Sequence, residues 1–409
     1  MISLSGAYTK IYGAFEQFFK PLTREEIRKT IRAFDSWREY TIDPSAFPEA
    51  IAMAERAVEH TEVGVRADGL ELFYTLVRDF QQDLSASYEP ATKAAFVAVG
   101  DADSGIQIKG LEILEELVSH RHYVPAYEPA TKAAQAVIRD LNSNVRAQGL
   151  ELYRVLILSR HEPAYEPAIK AALVAIDDRA NWGVIRRCSG LLSAFFHIKY
   201  VQAYPAAITV AHIAASHECA DVRRGGVMLL AELVEKGYEP AYSEAIQAAQ
   251  AAVVAADVAL RRSGFYLFER LVKAGYADAY EPAKIVAQEA VVSADACVCR
   301  DGLSLFETLV KAGYADAYES AKVAAQKAVI SADVDVYRAG LSLFGALVEA
   351  GYADAYKSAK VAAQEPERVV YNADRRHYGM DLDGDSRRYG REILRKALQE
   401  YEKRRSGRS

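Results

Sequence analysis

Gly340-Leu341-Ser342-Leu343-Phe344 decides how this chain folds, because it recurs. Thirty-eight residues earlier the sequence reads Gly302-Leu303-Ser304-Leu305-Phe306, and 38 before that Gly264-Phe265-Tyr266-Leu267-Phe268. Gly226-Val227-Met228-Leu229-Leu230, Gly149-Leu150-Glu151-Leu152-Tyr153, Gly110-Leu111-Glu112-Ile113-Leu114 and Gly69-Leu70-Glu71-Leu72-Phe73 carry the series toward the N-terminus. Self-similarity at a fixed period marks an array of short units. Each unit leaves apolar surface that only its neighbours can bury.

Working outward from the glycine, each unit opens on an aromatic slot: Tyr88-Glu89-Pro90-Ala91, Tyr127-Glu128-Pro129-Ala130, Tyr165-Glu166-Pro167-Ala168 and Tyr280-Glu281-Pro282-Ala283. Phe47, Tyr204, Tyr242, Tyr318 and Tyr356 occupy the same slot. Proline just inside a helix start is tolerated because that N–H has no helical partner. An Ala-rich helix follows, then a polar turn such as Ser331-Ala332-Asp333, then a second helix through the glycine stretch. Gly237, Gly275, Gly313 and Gly351 are placed to end the second helices in a left-handed cap. Seven repeats place the glycine 22 residues after the aromatic. The fourth fits best with Cys188 rather than Gly190 in the glycine slot, which puts Leu191, Leu192, Phe195 and Phe196 at the core offsets.

The turn-plus-second-helix segments Asn142-Ser143-Asn144-Val145-Arg146 and Asp221-Val222-Arg223 resemble the Asp-x-Val-Arg pattern of HEAT repeats, over roughly residues 45–364. Glycine replaces the usual alanine of that family. There is little room for the third helix of an armadillo repeat. The resemblance implies an all-α, right-handed superhelical solenoid of about nine helical hairpins, with the second helices on its concave side.

Residues 1–44 are expected to cap the array, with an aromatic helix through Tyr8, Phe15 and Phe19 and a second helix opened by Thr23 and Glu26 in a capping box. A membrane-surface helix is the alternative for the first of these, although its polar face is poor in Lys and Arg. Residues 365–409 are expected to hold an irregular last repeat, a polar capping helix and a basic tail at Lys403-Arg404-Arg405.

With the glycine slot as zero, offsets 0, +3, +4, +7 and +8 are apolar or small and face the core. Offsets -2 and +2 share the opposite face. At -2 stand Ala67, Ile108, Ala147, Arg186, Arg224, Arg262, Arg300, Arg338 and Arg388. At +2 stand Glu71, Glu112, Glu151, Gly190, Met228, Tyr266, Ser304, Ser342 and Glu392. The row is acidic at first, arginine-lined afterwards, with Met228 and Tyr266 as apolar points. Two readings of the arginines stay open. HEAT-like arrays tie turns together with Asp/Arg ladders, and Asp257, Asp295 and Asp333 precede Arg262, Arg300 and Arg338 by five residues. Alternatively the guanidinium groups form a binding stripe for carboxylates or phosphates. The acidic row Glu71, Glu112 and Glu151 reads most simply as a solvated face.

Composition narrows the function. The 409 residues carry a net charge of -6, which argues against binding polyanions by bulk charge. Four cysteines, Cys188, Cys219, Cys297 and Cys299, suggest reduced thiols and a cytoplasmic setting. Residues 1–20 carry Lys10 and Glu16 and show no signal-peptide pattern, and no apolar run is long enough to span a bilayer. Asp381, Asp383, Asp385 and Glu392 mimic part of a calcium loop, but Ser386 stands where glycine is required. His212, His217 and Cys219, and Cys297 with Cys299, lack the spacing of a zinc module. No nucleotide loop, nucleophile elbow or metalloprotease motif is present, so no enzyme, cofactor or metal is expected. Trp182, in a variable turn, is either a packing residue or an exposed anchor. The expectation is a non-catalytic protein- or peptide-binding scaffold working through Arg186, Arg224, Arg262, Arg300, Arg338, Met228, Tyr266, Glu71, Glu112 and Glu151. Nucleic-acid binding along the arginine row is the alternative.

Overall fold

The computed structural model describes residues 23–35, 46–78, 85–177, 181–364, 392, 394–403 and 406. The aromatic N-terminal helix, Trp37, the Asp381–Asp385 loop, Arg388 and Arg404-Arg405 lie outside the described residues. Among the described residues every regular element is helical. No helix of theirs is long and apolar enough to cross a membrane.

The chain divides into two compact units, residues 1–206 and 207–409. The first holds α1 (Arg24–Asp35) and the pairs α2 (Ala46–Val58) with α3 (Val63–Arg78), α4 (Tyr88–Ala98) with α5 (Ser104–Ser119), α6 (Tyr127–Val137) with α7 (Ser143–Leu158), and α8 (Tyr165–Ala175) with α9 (Trp182–His197). The second continues with α10 (Tyr204–Ala215), α11 (Ala220–Glu235), α12 (Tyr242–Val253), α13 (Val258–Lys273), α14 (Tyr280–Ala290), α15 (Ala296–Lys311), α16 (Tyr318–Ala328), α17 (Val334–Glu349) and α18 (Ala353–Gln364). The boundary between units falls inside α10. Residues 394–403 are helical and bury Leu394, Ala397 and Leu398.

α1 starts as its sequence dictates. The Thr23 N–H donates to Glu26 Oε2 at 3.2 Å, and the Glu26 N–H donates back to Thr23 Oγ1 at 3.3 Å. Ile27 and Ile31 are buried, and Arg24 and Arg28 pair with Asp68 of α3.

The second helices carry the core. Leu303, Leu305, Phe306, Leu309 and Val310 of α15 are buried, as are Leu341, Leu343, Phe344, Leu347 and Val348 of α17. Offset +1 is buried as well, so these helices are covered on two sides. Within each unit, successive second helices pack closely side by side, whereas successive first helices touch sparsely. The glycine slot explains how a pair closes. A Cβ on Gly302 would lie 2.6 Å from Ala290 Cβ, and one on Gly340 2.6 Å from Ala328 Cβ. A Cβ on Gly190 would meet only Arg154 Cδ, at 3.9 Å. Cys188 is buried against the Ala172 carbonyl of α8, which confirms it as the slot residue.

Gly237, Gly275, Gly313 and Gly351 end their helices at φ between 70° and 80°. In the first unit His122, Arg160 and Lys199 hold the same slot in the same left-handed conformation. The residue after each cap is aromatic, and in six of these seven repeats it meets the slot aromatic of its own repeat edge-on or tilted. Tyr88–Tyr123, Tyr127–His161, Tyr165–Tyr200, Tyr242–Tyr276, Tyr280–Tyr314 and Tyr318–Tyr352 have centroids 5.0 to 5.5 Å apart. Tyr314 Oη donates to Glu281 Oε2 at 2.7 Å, and Tyr352 Oη to Glu319 Oε2 at 2.5 Å. Those bonds push the Tyr314 phenol up to about 12 and hold Glu281 below its usual range, the latter chiefly through Lys284. Glu281 and Glu319 thus fasten the two ends of their repeats, whereas Glu89 and Glu128 pair with Lys93 and Lys132 of their own helices.

Candidate recognition face

The turns are tied by the residue at offset -3, not by the -2 row. Arg66 Nη1 donates to the carbonyls of His60 at 3.1 Å and Thr61 at 2.9 Å, and its guanidinium also pairs with Asp101 of the next repeat at 2.9 Å. Arg146 Nη1 donates to Asp140 and Leu141 carbonyls, and Arg223 Nη1 to those of His217 and Glu218. Arg261 reaches the Ala255 carbonyl at 3.1 Å and the Ala256 carbonyl at 3.2 Å. These half-buried guanidinium groups satisfy carbonyls of the turn that follows each first helix. Asp257, Asp295 and Asp333 instead cap the second helices, accepting from N–H groups two or three residues on. Of these three, Asp295 also comes within 3.9 Å of an arginine, and that arginine is Arg261. The ladder expected between Asp257, Asp295 and Asp333 and the -2 arginines is therefore corrected.

That leaves the -2 arginines pointing outward. Arg262 is 59% exposed, with Nε 3.5 Å from Asp301. Arg224 is exposed and pairs with the more exposed Asp221 at 3.1 Å. Arg300 lies 3.3 Å from Asp301 and 3.9 Å from Asp335. Arg338 is exposed and makes no ion pair with the described residues. Burial pushes the Asp301 carboxyl up, against the pull of Arg300 and Arg262. The Arg224–Asp221 pair, exposed at both ends, holds little energy and exchanges readily for other partners, whereas the carboxylate that Arg262 and half-buried Arg300 reach on Asp301 is itself mostly buried.

The apolar points are less free than their positions suggest. Tyr266 Oη donates to Glu235 Oε1 at 2.9 Å, and Arg270 stacks over its ring at 4.5 Å. Arg270 also pairs with Glu235 at 2.8 Å. Met228 is half-buried. Ser304 Oγ donates to Glu269 Oε1 at 2.7 Å. Beside it, Glu269, Lys273, Ser304, Glu307 and Lys311 line a shallow cleft of about 570 Å³.

In the first unit Arg186 is exposed and stands over the ring of the exposed Trp182, which is a surface aromatic rather than a packing residue. Arg186, Arg154, Arg187 and His197 line a cleft of about 460 Å³. Glu151, expected on a solvated face, is buried and clamped by Arg154 of its own helix and Arg187 of α9. Burial alone would raise its pKa; the two guanidinium groups outweigh that and hold it below the usual range. Glu71 is exposed at its carboxylate and pairs with Lys109. Glu112 is half-buried, and burial raises its pKa despite Lys109. Sequence reasoning missed Glu115 and Glu116, which stand between these residues at offsets without an acidic counterpart in neighbouring repeats.

Among the described residues no three His, Cys, Asp or Glu side chains are grouped to hold a metal. His217 Nδ1 accepts from the Cys219 N–H, and the four cysteines are free thiols.

An array of paired helices packed in this way defines a HEAT/armadillo-like α-solenoid. The chain is similar in structure to an engineered protein, with a TM-score of 0.55 and 11% identity over 94% of this chain and 97% of that one. It is also similar to Kap95p in complex with RanGDP, with a TM-score of 0.55 and 12% identity over 87% of this chain. Yeast importin-beta, Kap95p, gives a TM-score of 0.53 and 11% identity over the same share. The chain spans about half the length of the Kap95p chains, 47% and 48%. No protein-family model matches the sequence, and no curated protein matches it.

Proposed function

We propose that the chain is a non-catalytic scaffold that binds a protein or peptide along its second-helix layer, with Arg224, Arg262, Arg300 and Arg338 engaging acidic groups. One observation carries this. Arg223 and Arg261 bind the turn carbonyls, so their neighbours Arg224 and Arg262 are free to exchange partners, and Arg338 is exposed without an ion pair among the described residues, which leaves this row open to a partner's carboxylates. By analogy with solenoids of this architecture, such a layer forms a long adaptable surface. Kap95p, similar in fold, is named in complex with another protein, RanGDP. Arg186 and the exposed Trp182 extend the same chemistry to the first unit, where aromatic and arginine side chains suit an interface.

Fluorescence anisotropy with a labelled deca-glutamate peptide and a labelled deca-thymidine strand tests the reading. The peptide should bind wild type, and about tenfold or more weakly to a variant carrying Arg262→Glu, Arg300→Glu and Arg338→Glu. Tighter binding of the oligonucleotide, lost in that variant, would replace the protein ligand by a nucleic acid.

A further inference from the structure

A second cleft in the first unit has the opposite character. Tyr74 of α3, Glu112, Glu115, Glu116 and His120 of α5, and Glu151 of α7 line it, together with Gln148 and Arg187. Its volume is about 350 Å³, at the small end of ligand clefts. Four carboxylates face it against a single lining guanidinium.

Two of those carboxylates have donors. Glu151 is held by Arg154 and Arg187, and Glu115 accepts from Gln148 Nε2 at 2.7 Å. Glu116 is different. It is 7% exposed, its Oε2 lies 3.1 Å from His120 Nδ1, and its Oε1 is buried with no hydrogen-bond partner. A dry carboxylate oxygen without a donor is costly, and a donor arriving from outside removes that cost. The terminal torsion of a glutamate is soft, so a small turn presents Oε1 to the cleft. Around it, burial raises the pKa of Glu112 and of Glu115, with Glu71 and Glu151 adding to the respective shifts.

The ligand's chemistry follows from the spacing. The carboxylates are not grouped as metal ligands. Three of them are spread along α5, with Glu151 on α7, beside the ring of Tyr74, whose phenol is raised by burial and then by Glu116. Spread acceptors and an aromatic wall suit an extended cation with several N–H donors.

We propose that this cleft receives one cationic side chain, arginine or lysine, of a protein partner, with Glu116 and Glu112 as its acceptors. The site is independent of the arginine row at residues 224–338. A partner using both would present basic and acidic groups in turn.

Saturation-transfer NMR with N-acetyl-arginine amide is the test, because a single side chain binds in the millimolar range, with a Kd on the order of 1 to 10 mM. Wild type should show saturable transfer, and the neutral isostere N-acetyl-citrulline amide none. Glu116→Gln and, separately, the more exposed Glu112→Gln should each weaken binding about tenfold, at unchanged helicity by circular dichroism. Equal transfer to citrulline, no loss in both glutamine variants, or no saturable transfer would overturn the proposal. Tighter binding of putrescine than of the arginine amide would overturn its assignment to a protein side chain.

Discussion

Whether a single glycine helps or harms depends here on what its missing Cβ would meet. Gly302 and Gly345 both lie inside second helices, where alanine is normally better by about 1 kcal/mol. At Gly302 the new methyl would lie 2.6 Å from Ala290 Cβ and 3.2 Å from the Ala287 carbonyl, so α14 and α15 must part. At Gly345 nothing lies within 4 Å. Gly302→Ala should therefore destabilise by roughly 1–3 kcal/mol and Gly345→Ala should stabilise by up to about 1 kcal/mol, read from paired thermal melts. A gain in both would show that the close approach does not set the helix spacing.

At the scale of the helix and its turn, neighbouring arginines have opposite duties. In Arg223-Arg224 and Arg261-Arg262 the first turns back to the carbonyls of its own turn and the second faces water. Arg66→Ala should cost roughly 1.5–3 kcal/mol through lost charge-assisted bonds, whereas Arg262→Ala should cost under about 1 kcal/mol. Comparable losses in chemical denaturation would return the exposed row to a structural role. Sequence spacing marks both members of each pair but not which one turns back; that depends on a 100° step around the helix and on where the previous helix ends its hydrogen bonding. For this reason the spacing leaves the ladder and the stripe both open, while the row itself is legible from its 38-residue recurrence. The carboxylate cleft was not legible, because Glu116 shares its offset with Thr75 and Val155 and so stands in no row.

The same element scale fixes a pH response. Burial, then Glu151, raises the Glu115 carboxyl, with Gln148, Arg154 and Arg187 opposing. A carboxyl whose folded pKa is raised costs stability once ionised, and the cost disappears as pH falls through the folded value. Glu115→Gln keeps an acceptor for Gln148 and removes the charge. It should melt higher than wild type at pH 7, with the difference fading toward pH 4. A lower melting temperature at pH 7 would mean that Arg154 and Arg187 outweigh burial at this site.

Over the whole molecule, the repeat dictated nearly everything about architecture. The aromatic slot, the small first helix, the glycine at the crossing and the left-handed cap all recur together, and each has a steric reason to do so. Capping chemistry at Thr23 and the Cys188 register were readable for the same cause. An aromatic follows each cap in the sequence, at Tyr238, Tyr276, Tyr314 and Tyr352, but only the structure shows the last three pairing with their slot aromatics. What a repeat leaves open is its solvent face, since exposed positions vary without cost to the stack. There the two units differ: buried and half-buried carboxylates on α5 and α7, and exposed guanidinium groups on α11, α13 and α17.

The most direct measurement is an affinity capture from native lysate, treated with nuclease, using wild type beside the Arg262→Glu, Arg300→Glu, Arg338→Glu variant with its fold verified by circular dichroism. A protein retained by wild type and lost by the variant, then rebinding to wild type when purified, is the predicted result. Equal recovery by both chains would contradict the account and make the exposed arginines irrelevant to recognition.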